Sequence, residues 1–368
     1  MKKRIIAIHL PQFHPFPEND EWWGKGFTEW TNVTKAKPRF PGHYQPHLPT
    51  ETGFYDMRLP EVRQMQAEMA KAYSIDGFCY YHYWFNGKML MERPVEEILS
   101  SGKPDFPFML CWANENWSRK WDGGKGSVLI HQDYSREDDV DHIRWLCGHV
   151  FLDSRYIRVK DKPVFVVYRP FENPKAGEMI ATWRSVAREE FGMELYLIGV
   201  ERIHSEGERI LSLGFDATMD FQPLSLNGFE RKSPLGYPFM IWDKFLHSKP
   251  NPFSILIPYK RYVDYKIKEP DVAYKMFPCV SPGWDNASRR VGKPFTAFYG
   301  NTPQSFGKWI SNTLKRFKPY GRDEDFVFIN AWNEWAEGNH LEPDRKWGTA
   351  FLEAVKTAID NDQNGGDE

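Results

Sequence analysis

Glu334 and Glu337 stand three residues apart in Ala331-Trp332-Asn333-Glu334-Trp335-Ala336-Glu337-Gly338, and a carboxylate pair at that spacing can divide acid and base work. Residues three apart on a turn face the same way, with Cβ atoms roughly 5–6 Å apart if the turn is helical. Like charges that close raise one pKa, so one carboxyl keeps its proton and the other does not. Cleavage of a glycosidic bond uses such a pair, and a separation of about 5–5.5 Å favours retention of configuration. Glu115 is the rival. Asn114-Glu115 repeats the Asn-Glu of Asn333-Glu334, again beside Trp. We read Glu115 as a sugar-binding residue, with direct catalysis as the alternative.

Other polar and aromatic residues cluster just after short apolar runs. His9 and Gln12 follow the first run, and Tyr80, His82 and Trp84 end the second. Trp112, Asn114, Glu115 and Trp117 follow the third, Trp284 and Asp285 the seventh, and Asn333, Glu334, Trp335 and Glu337 the eighth. Carboxylates and amides bind hydroxyls, while flat rings cover apolar C–H faces. That mixture suits a polyhydroxylated ligand. For each Trp the competing expectation is core packing, and for His9 and His82 it is a satisfied core histidine.

The elements that must position these groups are legible as alternation. The apolar runs are Arg4–His9, Gly77–Tyr83, Phe108–Trp112, Pro163–Tyr168, Leu195–Val200, Ala217–Asp220, Met276–Val280 and Phe326–Ala331. Leu59–Tyr73, Val140–Phe151, Ala176–Phe191 and Pro303–Phe317 carry a helical period between them. Strands alternating with helices argue for parallel βαβ units, and eight of them for a single α/β (β/α)8 TIM-type barrel; a doubly wound open sheet is the alternative. Two long insertions, Pro11–Phe54 and Gln222–Lys275, are aromatic-rich and are expected to wall the C-terminal face. Residues 1–358 then form one catalytic domain, and 359–368 a disordered tail.

Composition narrows the function. The chain has 368 residues, a formal net charge of -2, 16% aromatic residues and 15 Trp. That balance carries no electrostatic footprint for nucleic acid. The four cysteines, Cys79, Cys111, Cys147 and Cys279, form no CxxC pair, so free buried thiols are expected and no metal or cofactor. The apolar run after Met1-Lys2-Lys3-Arg4 stops at His9, too short for a signal peptide, and no run approaches a membrane span. A cytoplasmic protein without membrane insertion is expected. Composition does not fix its oligomeric state.

The segment Ile329–Gly338 followed by Leu341-Glu342-Pro343 resembles the signature of glycoside hydrolase family 99. The chain resembles more closely the bacterial WbsX-type proteins of O-antigen and other polysaccharide loci. Further matching segments are Ala7–His14, Trp22–Trp30, Tyr80–Phe85, Cys111–Trp117 and Pro282–Asn286, which add Trp30 to the candidate sugar-binding residues. The resemblance implies a (β/α)8 barrel and a retaining mechanism without a carboxylate nucleophile. In it Glu334 deprotonates the sugar's own 2-hydroxyl, which attacks the anomeric carbon to give a 1,2-anhydro sugar. Glu337 protonates the leaving group and later activates water or another acceptor. The implied partner is an α-linked oligosaccharide or polysaccharide, with mannose among its sugars. The alternative is a sugar-nucleotide-dependent glycosyltransferase, for which the chain shows no Gly-rich phosphate loop of recognised pattern. A third reading is a non-catalytic glycan-binding module.

Overall fold

The computed structural model describes residues 2–119, 127–223 and 254–364. Eight parallel strands form its centre: β1 (Arg4–His9), β2 (Gly77–Phe85), β3 (Phe108–Trp112), β4 (Lys162–Val167), β5 (Tyr196–Glu201), β6 (Ala217–Asp220), β7 (Met276–Val280) and β8 (Phe326–Ile329). Neighbours pair in sequence order, and β1 pairs with both β2 and β8, so the sheet closes. This is the (β/α)8 barrel, and closure excludes the open sheet.

Each strand is followed by a helix. These are α1 (Pro60–Ala72), α2 (Arg93–Ser101), α3 (Arg136–Trp145), α4 (Ala176–Phe191), α5 (Gly207–Leu211), α6 (Tyr259–Lys268), α7 (Pro303–Arg316) and α8 (Ala350–Asn364). Local chemistry sets several starts. Ser135 accepts a hydrogen bond from the Asp138 amide at the head of α3, and Thr302 accepts one from Ser305 at the head of α7. Pro60 and Pro303 occupy first helical positions, where a missing N–H costs nothing. After Trp145 the chain winds into a π turn, Leu146–Val150, rather than continuing as α-helix to Phe151. α8 buries Phe351, Leu352, Val355, Ala358 and Ile359. That apolar stripe carries the helix to Asn364, past the boundary at 358 where a tail is expected.

Because helices cover the barrel outside and side chains fill it inside, both faces of every strand are buried. All nine residues of β2 are buried. Cys79, Cys111, Cys147 and Cys279 are free and buried, as expected. No helix among the described residues is long and apolar enough to cross a membrane.

The first insertion lies over the C-terminal end of the barrel and is tied to the chain after β8. The Thr50 amide donates to the Pro343 carbonyl (3.1 Å), and Arg345 to Leu48 (2.9 Å). It carries two short helices, Pro17–Trp23 and Glu29–Lys35. Of the second insertion, residues 224–253 lie outside the described residues. Its last part adds the strand Ile255–Pro258, paired with Thr296–Tyr299, and α6.

Candidate active site

A cavity of about 190 Å³ opens at the C-terminal end of the barrel, where enzymes of this fold place their chemistry. Its lining includes Gln12, Glu115, Trp117, Trp284, Glu334 and Glu337, six residues singled out by sequence. It also includes Tyr81, Tyr83, Tyr168, Phe221, Asn330 and Arg289, none of them among the sequence candidates. A larger cavity, about 280 Å³, lies on the barrel's flank against α6 and α7. Its buried Lys266 is already ion-paired with Asp220 and Glu269, so it offers no comparable reactive group.

Glu334 ends a two-residue strand, and Glu337 closes the 3₁₀ turn Trp335–Glu337, so one tight turn presents both carboxyls. The Arg289 guanidinium faces them. Its Nη1 donates to Glu337 Oε1 at 2.6 Å and its Nη2 lies 3.4 Å from Glu334 Oε2. The same guanidinium reaches Glu29 Oε2 at 3.0 Å, and Glu29 Oε1 accepts from the Gln12 amide at 2.6 Å. Three carboxylates thus share one arginine whose side chain is only 8% exposed. Burial, and then the charge of Glu337, push Glu334 up to about 8, against the opposing pull of Arg289. Burial also raises Glu337, and Arg289, the closer partner, holds it down. Glu334 is thus the member of the pair pushed further toward its protonated form.

Arg289 is delivered by the chain after β7. The Asp285 carboxylate accepts from the Ala287 amide (2.9 Å), starting the 3₁₀ turn Asn286–Ser288 that ends beside Arg289. Asp285 Oδ2 also contacts His43 Nε2 (2.6 Å) and accepts from Gln45 Nε2 (2.7 Å), both from the first insertion. The Asp285 amide donates to the Glu337 carbonyl, and Ser288 Oγ to the Ala336 carbonyl, each at 2.5 Å. The two turns approach so closely at Gly338 that an added Cβ would come within 2.9 Å of Asp285 Cβ, and Gly338 has φ +54°. Only glycine fits there without strain.

Asn333 and Asn114 work as clamps. Asn333 Oδ1 accepts from the Leu10 amide (2.7 Å) and its Nδ2 donates to the Leu10 carbonyl (3.0 Å). Asn114 Oδ1 accepts from the Arg169 amide (2.7 Å) and its Nδ2 donates to the Arg169 carbonyl (2.9 Å). Glu115 follows, with its side chain 42% exposed and its carboxylate on Arg169 at 2.5 Å.

The remaining sequence candidates do not line the cavity. Tyr80, His82 and Trp84 alternate with Tyr81 and Tyr83 along β2 and point the other way, into the helix layer. His82 Nε2 meets His142 Nε2 at 3.0 Å and its ring stacks on Trp145, while Trp84 donates to Asp138 at 2.8 Å. Trp112 packs on His142 and Trp183. His9 meets Gln66 of α1 at 3.2 Å, and burial lowers His9 and His82 to about 3, leaving both neutral. Trp30 donates to the Tyr55 carbonyl (2.8 Å) in the core under the first insertion. Trp335 stacks on His340 at 3.7 Å and donates to Glu342 at 2.6 Å. Glu342, buried, also accepts from Gln66, Tyr55 and Trp332, which anchors the Glu334–Glu337 turn from behind. Asp285, Asn114 and Asn333 act one layer back, as described.

Comparison with known proteins agrees with this architecture. The sequence model of the family described as Glycosyltransferase WbsX matches residues 5–355. Proteins of two strains of Xanthomonas campestris pv. campestris, each described as uncharacterized protein WxcX, are 38% identical over 356 residues, covering 96% of this chain and 49% of theirs. The chain thus spans about half the length of the curated relatives it matches. The endo-alpha-mannosidase of glycoside hydrolase family 99 from Bacteroides thetaiotaomicron superposes with a TM-score of 0.59 at 13% identity, over 99% of both chains. A structure described as a glycoside hydrolase-like protein gives 0.59 at 12% identity, over 97% of this chain and 94% of its own. At such identities the likeness shows the fold.

Proposed function

This chain belongs to the WbsX glycosyltransferase family, and from that premise we propose that it is a retaining glycan-processing enzyme whose Glu334–Glu337 pair cleaves or transfers an α-linked glycan. Family membership supports glycan processing. The observation that carries the finer reading is the carboxyl pair itself, buried at the C-terminal end of the barrel, facing Arg289 and with both members raised by burial. Since the neighbour of like fold is an endo-alpha-mannosidase, α-linked mannosides are the first substrates to try.

In the proposed reaction Glu334 takes the proton of the sugar 2-hydroxyl as O2 attacks the anomeric carbon. Glu337 gives a proton to the departing glycosidic oxygen as the C1–O bond breaks. The product of this step is a 1,2-anhydro sugar. Glu337, now a carboxylate, then deprotonates water or an acceptor hydroxyl, which attacks C1, and Glu334 returns its proton to O2. Configuration is retained. The reaction needs one proton on the pair, on Glu337 at the moment of cleavage, and its passage between the two carboxyls leaves the charge of the pair unchanged. Tyr81, Tyr83, Trp117 and Trp284 supply ring faces for the sugar.

Replacing Glu337 by Gln tests the assignment. Activity on substrates with poor leaving groups should vanish while activated aryl glycosides retain more, and equal loss on both would remove Glu337 as the acid. A 2-deoxy substrate should be inert, and its turnover would sink the anhydro-sugar route. The family's name favours a second reading, a nucleotide-sugar-dependent transferase; calorimetric binding of a sugar nucleotide would support it.

A further inference from the structure

Behind the catalytic turn, three buried side chains from two distant parts of the chain converge on one point. His47 Nδ1 lies 2.9 Å from His340 Nε2, and Asp344 Oδ2 lies 3.8 Å from His340 Nε2 and 4.0 Å from His47 Nδ1. A triangle with these sides has a point about 2.1 Å from every corner, the length of a zinc–nitrogen or zinc–oxygen bond. His340 Nδ1 faces the Glu342 carbonyl at 2.9 Å. As a proton donor there, a neutral His340 turns the lone pair of Nε2 toward the shared point, the arrangement that orients metal-ligating histidines. The Tyr44 ring packs on His47, with centroids 4.4 Å apart.

We propose that His47, His340 and Asp344 form a structural site for one divalent transition-metal ion, with zinc the best fit. Two imidazoles and a carboxylate suit zinc, whereas calcium and magnesium take all-oxygen sets. The ion would staple the first insertion to the segment after β8, joining residues 293 apart in sequence. Its position also concerns the carboxyl pair. His340 stacks on Trp335, which lies between Glu334 and Glu337, so a fixed His340 ring holds that turn. The Lys346 ammonium, 4.9 Å above the Tyr44 ring, opposes a second cation, and Asp344 offsets it. The competing structure is a plain hydrogen bond from His47 Nδ1 to His340 Nε2, which needs no metal.

Metal retention separates the two. The full chain is stripped with a chelator, exposed to a small excess of zinc or cobalt, desalted and measured by mass spectrometry. About one equivalent should remain, with visible cobalt absorption of a low-coordinate nitrogen–oxygen site. Zinc should raise Tm by roughly 3–6 °C. His47→Gln and Asp344→Asn should weaken binding at least ~10-fold, and Lys346→Met, which removes the opposing charge, should strengthen it. Glu334→Gln should bind metal as the wild type does, so loss of the proposed glycan chemistry leaves this result standing. No retained metal in the wild type, or equal retention in folded His47→Gln and Asp344→Asn chains, overturns the site.

Discussion

Asn333-Glu334 after β8 and Asn114-Glu115 after β3 are the same device at two places on the barrel rim. In each, the amide grips both backbone groups of the residue just past the next strand, and the following glutamate is turned to the cavity. The surroundings then separate them. Glu334 shares a buried guanidinium with Glu337 and Glu29, and burial beside a like charge raises its pKa. Glu115 stands half in solvent with Arg169 to itself. One motif yields a buried carboxyl with a raised pKa in the first setting and a half-exposed, ion-paired carboxyl in the second. The difference lies in the neighbours, not in the dipeptide.

Exchange of the two glutamates should break the likeness most sharply. Glu334→Gln is expected to lower kcat/KM by about 10³–10⁴, and Glu115→Gln by roughly 10-fold, mostly in KM. Equal losses in steady-state kinetics would make Glu115 a catalytic partner. Arg289→Lys keeps the charge but loses the fork that spans three carboxylates. It should reduce kcat about 10- to 100-fold with little change in KM; a change confined to KM would mean that Arg289 binds sugar rather than positions the pair.

The clamps give a finer test. Asn333→Ala and Asn114→Ala each remove buried hydrogen bonds and should each cost about 1–3 kcal/mol by denaturant titration. Only Asn333→Ala should also depress kcat, since only its neighbour is proposed to react. The smallest effect is on the pH profile. With one proton on the pair required, activity should fall as pH rises through about 8, where Glu334 ionises, and fall again in acid where both carboxyls protonate. Glu115→Gln should leave both limbs in place, and a moved alkaline limb would assign that proton to Glu115.

Much of the barrel was legible because a buried parallel strand is an uninterrupted apolar run and a covering helix has a period of 3.6. The same burial hid the direction of the side chains. With both faces of β2 apolar and aromatic, nothing in Tyr80-Tyr81-His82-Tyr83-Trp84 tells which parity faces the axis. The sequence candidates Tyr80, His82 and Trp84 fall in the even set, yet the odd set lines the cavity. Arg289 and Glu29 were equally hidden, since they lie 45 and 305 residues before Glu334 in sequence, and a lone arginine four residues after Asp285 carries no local pattern.

The amino-acid sequence by itself determined the order of strands and helices and the close spacing of Glu334 and Glu337, because periodicity and neighbour spacing are local properties of the chain. Tertiary structure alone decided which faces of β2 and β3 meet the cavity, which cation holds the carboxyl pair, and which Asn-Glu is buried. Those depend on closure of the sheet and on loops packed from far along the chain, and their energies are set by desolvation and by charges that sequence distance does not reveal.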